Sequence, residues 1–251
     1  MRETLVLFRR DLRSYFLSPI AYVFGILFLG LSIFFATNSM LVHGQQASME
    51  YYFQLLPLVF LFFLPALTMR LWAEERKLGT LELLMTFPVR ISQLIAGKFL
   101  AVMAYLAVLL ALTLALPITL SIYGRLDWGP VVGAYLATFL MAGAYVSVGM
   151  FWSSTTRDQI IALLLAMVTL VLLYFLGNPF FLELVGDFLR PLPESLRVLI
   201  VDLLGGISPF RYFLSVSRGV LDTRDMIYYI CFCGFFLYSN ALVLRGLRHR
   251  G

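Results

Sequence analysis

Charge is scarce in this chain: 251 residues carry 19 Lys and Arg and 14 Asp and Glu, 13% of the total, where a soluble domain carries roughly a quarter. With 61% apolar residues and a mean hydropathy of +0.90, there is more apolar surface than one water-facing core can hide. This excludes an ordinary soluble domain and a disordered chain. Cysteine is nearly absent, which excludes a disulfide scaffold. Cys231 and Cys233 stand two apart and project in different directions around a helix, so they read as packing or lipid-facing thiols.

Other absences remove whole chemistries. The two histidines are His43 and His249, no H-E-x-x-H occurs, and no carboxylate lies within a long apolar stretch. Hydrolysis inside a bilayer and proton-coupled carriage therefore lack reagents. A phosphate-binding loop is missing too: Gly97-Lys98-Phe99 has neither the earlier glycine nor the following hydroxyl residue. The pI of about 9.3 does not point to nucleic acid, because anionic lipid accounts for a basic membrane rim.

What is present is a set of six stretches without charge, at 14–49, 51–69, 99–124, 128–156, 159–182 and 226–244. A helix needs about 20 apolar residues to cross a hydrocarbon core about 30 Å thick. The sequence thus predicts six transmembrane helices, at 20–42, 51–72, 95–123, 129–152, 159–177 and 226–244, in one transmembrane domain covering 1–251. Ser18-Pro19 and the polar run from Asn38 to Gln46 trim the first stretch to one span, and no small-residue cleavage site follows it, so a cleavable leader is not expected. Pro57 and Pro65 in the second helix and Pro117 in the third are expected to kink them.

The positive-inside rule orients the bundle. Arg2, Arg9, Arg10 and Arg13 precede the first span, while the loop after it, 43–50, has no Lys or Arg. Both termini and the loop bearing Arg70, Arg76, Lys77, Arg90 and Lys98 are then cytoplasmic. The opposing positives, Arg190, Arg197, Arg211, Arg218 and Arg224, are balanced by six acids between Glu183 and Asp225.

Three segments do more than span. In 1–17, Leu5, Phe8, Leu12, Tyr15 and Phe16 share a helical face opposite Arg2, Arg9, Arg10 and Arg13, the pattern of a helix lying in the interface. It serves either as an anchor or as a platform for a cytoplasmic partner. In the second loop, Gly79 ends the helix leaving the membrane, Thr80 can cap a new one, Glu82 suits its first turn and Pro88 stops it. Leu81, Leu84 and Met85 form an apolar ridge on this short helix, with Leu78 on the same side. The ridge either lies on the bundle's own end or docks into another protein. In 178–225, Leu196, Leu199, Ile200 and Leu203 share a face. Ser208-Pro209 starts a second short helix that runs through Phe210 and stops at Gly219. Both are too short to cross and are expected to re-enter the outer leaflet, as a cap or a gate. Small residues stripe the third helix at Ala104, Val108, Ala111 and Ala115. In the fourth they recur at Gly133, Ala137, Gly143 and Ser147, suited to close helix contacts within the chain or across a dimer seam.

The chain resembles the permeases of type-2, export-class ABC transporters, most of all their gliding-motility branch. The resemblance covers nearly the whole length. It is carried by residues 8–16 and 18–22, by Glu75 to Leu84 with Pro88 and Gly97-Lys98, and by Ser208-Pro209-Phe210 with 217–222. It implies an all-α, polytopic permease with an N-terminal interfacial helix, a cytoplasmic coupling helix and short re-entrant helices between helices five and six, residing in a bacterial inner membrane. The coupling region would comprise Glu74, Glu75, Arg76, Gly79, Thr80, Leu81, Glu82, Leu84, Met85 and Pro88. Phe8, Arg9, Arg10 and Arg13 would lie beside it on the interfacial helix, and Ser208, Pro209, Phe210, Arg218, Gly219 and Asp222 would form an outer gate. The chain would hold no cofactor and catalyse nothing; ATP and Mg would bind a partner ABC ATPase. Further partners would be a second permease subunit, alike or different, and an accessory membrane protein with an extracytoplasmic domain. The alternative is a membrane scaffold or assembly factor that docks an ATPase or an accessory protein without transporting a substrate. A channel is disfavoured, since no span supplies a ring of charge.

Overall fold

The structure is a computed structural model that describes residues 2–43, 49–86, 89–123, 126–191, 193–217 and 222–248. Among these residues every regular element is an α-helix. Six helical stretches are long and apolar enough to cross a bilayer: Ala21–Asn38, Glu50–Lys77, Ile91–Ile122, Trp128–Thr155, Gln159–Gly177 and Thr223–Leu247. The protein is an all-α polytopic membrane protein.

The chain begins with α1 (Arg2–Leu17), which turns at Ser18 into the first span, α2 (Pro19–His43). Span two is α3 (Glu50–Thr68) continued by α4 (Arg70–Lys77), and the short α5 (Thr80–Thr86) follows. Span three is α6 (Ile91–Thr113) with α7 (Ala115–Tyr123), span four α8 (Trp128–Thr155) and span five α9 (Gln159–Gly177). Then come α10 (Pro179–Phe188), α11 (Glu194–Ile207) and α12 (Pro209–Val216), and the last span, α13 (Thr223–Arg248).

Proline explains the breaks. Span three, expected as one kinked helix, divides at Leu114 because Pro117 has no N–H to return to the Thr113 carbonyl. Span two divides at Met69, just past Pro65, whereas α3 continues through Pro57.

Helix α8 is the hub, packed by α3, α4, α6, α9, α12 and α13. It can be surrounded because many of its buried positions are small, Gly133, Ala137, Gly143 and Ser147 among them. The other small stripe is not buried: Val108, Ala111 and Ala115 of span three are exposed. The closest approach is at Gly149, where an added Cβ would stand 2.0 Å from the Thr68 hydroxyl oxygen and 2.9 Å from its Cβ. Thr68 cannot swing away easily, being fully buried with its hydroxyl bonded to the Leu64 carbonyl at 2.8 Å. Gly149→Val is therefore expected to destabilise the bundle by about 1–3 kcal/mol or more through overpacking, read as a lowered unfolding temperature in detergent.

Two ends of the bundle follow from these contacts. The start of α6 packs on α1, the end of α8 holds α4, and α13 begins beside α12, so its C-terminus points toward the end occupied by α1, α4 and α5. The opposite end carries α10, α11 and α12. Helix α10 was not foreseen: Asn178 caps it, accepting from the Phe180 N–H at 3.0 Å, with Pro179 in its first turn. Helices α11 and α12 meet at 78°. The expected Ser208-Pro209 start is present, but α12 closes at Val216, short of Gly219.

Candidate functional site

At the α1 end, α4 and α5 converge with the start of α6. Span two leaves the bundle as α4 and is gripped there by α8. The break at Met69 frees backbone groups that their own helix does not use, and Ser153 of α8 takes them up. Its hydroxyl oxygen accepts from the Trp72 and Ala73 N–H groups at 3.0 and 3.1 Å and donates to the Met69 carbonyl at 2.9 Å. One turn on, Arg76 donates to the carbonyls of Ser154 at 2.6 Å and Thr156 at 3.3 Å, satisfying the C-terminal end of α8. Two helices distant in sequence thus cap each other.

A second clamp is ionic. Lys98 of α6 is 5% exposed, and its ammonium lies 2.8 Å from Glu75 Oε1 on α4 and 4.0 Å from Asp11 Oδ2 on α1. It also sits 4.9 Å from the centre of the Trp72 ring. Asp11 accepts from Arg10 Nε at 2.8 Å. A buried cation with two carboxylates from two other helices fixes three elements to one another. Close contact between α1 and α6 is allowed by Gly97, where a Cβ would lie 3.1 Å from Leu7 Cβ. The α1 surface facing the bundle therefore runs through Thr4, Leu7, Asp11 and Tyr15; of the expected face Leu12 and Tyr15 pack on the core, whereas Leu5 and Phe16 are exposed. Burial, then the neighbouring Asp11 charge, raises the Tyr15 hydroxyl above its ordinary value, which keeps the proton it donates to the Leu67 carbonyl.

Between α4 and α5 the backbone reverses at Gly79, whose φ of +72° is the left-handed conformation that other residues adopt at a cost. Thr80, expected to cap α5, is instead its first helical residue, and its hydroxyl donates back to the Glu75 carbonyl at 3.3 Å. The ridge of α5 turns inward: Leu81 is buried in the chain's own core and Leu84 packs against it. What α5 and the turn before it expose is Leu78, Gly79, Thr80 and Glu82. Met85 falls within α5, its side chain outside the described set, and Pro88 lies outside the described residues. Substituting Gly79 by Val is expected to strain the turn by about 1–2 kcal/mol, and to shift α5 more than it shifts the spans. Cysteine-accessibility labelling at position 82, compared with position 27 in span one, checks this.

The other expected site residues are dispersed. Phe8 is half-buried, Arg9 and Arg13 are exposed, and Arg10 is engaged with Asp11. At the opposite end Ser208 is buried, accepting from the Phe210 N–H at 3.2 Å and donating to the Leu173 carbonyl. Gly177 makes room for it, since a Cβ there would stand 2.2 Å from the Ser208 oxygen. The Pro209 carbonyl accepts from Tyr229 at 2.8 Å, and Phe210 lies 4.4 Å from the Tyr174 ring. Asp222 caps α13 by accepting from the Arg224 N–H at 3.0 Å; Arg218 and Gly219 lie outside the described residues.

Asp11, Lys98 and Ser153 were not singled out by pattern. Asp11 had a legible signal, at i+4 from Leu7 and i−4 from Tyr15 on the buried face; Ser153 had none, because its partners are 80 residues away in sequence.

A family model described as ABC-2 family transporter protein matches residues 36–244. No individual curated protein matches the chain.

Proposed function

The chain belongs to the ABC-2 transporter family and is a multi-pass membrane permease subunit of an ABC transporter, and from this we propose that a separate ATPase drives it through α5. The supporting observation is the asymmetry of the α4–α5 unit. Its inner side is fixed to α1, α6 and α8 by Lys98, Ser153 and Arg76, while Leu78, Thr80 and Glu82 stay exposed on either side of the Gly79 turn. A push on the exposed side is delivered to four helices at once. Glu75 and Arg76 in this reading transmit force and position α5, while Glu82 meets the partner.

The proposal includes the finer points: both termini in the cytoplasm of a bacterial cell, ATP and Mg bound by the partner ATPase, export as the direction, and a second permease subunit. It also includes a gate at α11 and α12 and likeness to the gliding-motility branch, with an accessory membrane protein as a further partner. Spans without intramembrane acids favour a lipidic or amphipathic cargo.

Purification of the tagged protein from its native membrane in mild detergent, with identification of co-purifying chains and an ATP hydrolysis assay, tests this. The expected result is a nucleotide-binding subunit in fixed ratio with turnover; repeated recovery without any ATPase favours the scaffold alternative.

A further inference from the structure

A cavity of about 450 Å³ opens between α1, the start of α2, and the α3–α4 junction, beside the ion cluster. Its size lies in the range of small-molecule sites, roughly 300–1,000 Å³. One end is polar, formed by Arg10, Asp11, Arg70, Glu74, Glu75 and Lys98; the other is apolar, with Phe24, Leu67 and Leu71. The polar end carries three cations and three anions, so a ligand that matches it is neutral overall and bears both signs.

The internal pairing leaves a defined remainder. Arg10 is taken by Asp11, and Lys98 by Glu75. Arg70 and Glu74, one turn apart on α4 and both on the cavity wall, form no ion pair among the described residues. Three buried atoms there also lack a hydrogen-bond partner: Arg70 Nε, Glu75 Oε2 and Asp11 Oδ2, whose nearest cation is Lys98 at 4.0 Å. Asp11 is 9% exposed. Buried polar atoms left this way are expensive unless a ligand meets them. The donor Nε calls for an oxyanion, and the two carboxylate oxygens call for N–H donors.

We propose that this cavity binds the head group of a zwitterionic aminophospholipid of the phosphatidylethanolamine class. Its phosphate pairs with Arg70, and its ammonium pairs with Glu74 and the free oxygens of Asp11 and Glu75. A primary ammonium donates hydrogen bonds to those oxygens, which a quaternary choline cannot do, and glycerol head groups supply no cation. The apolar end at Phe24, Leu67 and Leu71 receives the start of an acyl chain, since Phe24 and Leu67 belong to apolar stretches long enough to cross a bilayer. The inference rests on the membrane-spanning architecture and not on the ATPase partner.

Native mass spectrometry of the delipidated full-length protein, titrated with dioleoyl phosphatidylethanolamine, phosphatidylcholine or phosphatidylglycerol, tests it. The ethanolamine lipid is expected to bind on the order of tenfold more tightly than either other lipid. Arg70→Ala is expected to weaken it by a similar factor, and Glu74→Gln to bring it down to the choline lipid while leaving the latter unchanged. Equal binding of the three lipids by the unsubstituted protein overturns the proposal without reference to any variant, as does a preference that survives both substitutions. Displacement of the lipid by water-soluble phosphoethanolamine at comparable concentration overturns the lipid in favour of a soluble ligand.

Discussion

Replacing Lys98 by Met is expected to lower stability by about 3–5 kcal/mol, the range found when one member of a buried ion pair is removed. The reason is what stays behind. Glu75 and Asp11 side chains are 19% and 12% exposed, so without the ammonium Glu75 keeps no cation partner among the described residues and Asp11 keeps only Arg10. The methionine keeps most of the side-chain volume, which separates charge from packing. Adding Glu75→Gln to the Lys98→Met variant is expected to recover part of the loss, because it removes one stranded charge. Thermal unfolding in detergent gives the stability readout. If the cluster were only a solvated surface network, the single substitution would fall within about 1 kcal/mol.

The second large effect is expected at Ser153. Ser153→Ala strands two buried N–H groups and one carbonyl, each worth about 1–3 kcal/mol when left unmet, and it releases α4 from α8 at the same time. The neighbouring Ser154 supplies an internal control. Among the described residues its hydroxyl bonds only to the Phe151 carbonyl of its own helix at 2.7 Å, which the α-helix already satisfies, so Ser154→Ala is expected to be nearly neutral. A large gap in unfolding temperature between the two alanine variants checks the inter-helix cap. With the cap lost, exchange of the Trp72 and Ala73 amides should also speed up.

The spans were legible in the sequence because a charge inside hydrocarbon is so unfavourable that its absence draws the boundaries. The same logic failed for interior polar groups. Lys98 stands at the edge of a charge-free stretch and reads as a loop cation, yet it is buried, because its partners arrive from α1 and α4. Ser153 looks like any small residue of a helix that packs closely. Local grammar served well where a cap is made by neighbours in sequence: Gly79 is the left-handed break, and Ser208 with Pro209 starts α12. It failed at Thr80, which is already helical and whose hydroxyl donates to the Glu75 carbonyl. The apolar ridge of α5 could be assigned a face by periodicity but not a direction; only the fold turns Leu81 inward and leaves Glu82 outward.

The outward position of Glu82 allows the most direct test of coupling through α5. In a reconstituted complex of this permease with its co-purified ATPase, turnover and assembly should be measured together for the unsubstituted protein and for Glu82→Arg. Glu82 is exposed and the substitution leaves the Lys98 and Ser153 clamps untouched. The account predicts a fold as stable as the original, an ATPase that still associates at least in part, and turnover reduced on the order of tenfold, as for loss of one well-formed ionic contact. Unchanged turnover in an intact complex would contradict coupling through α5.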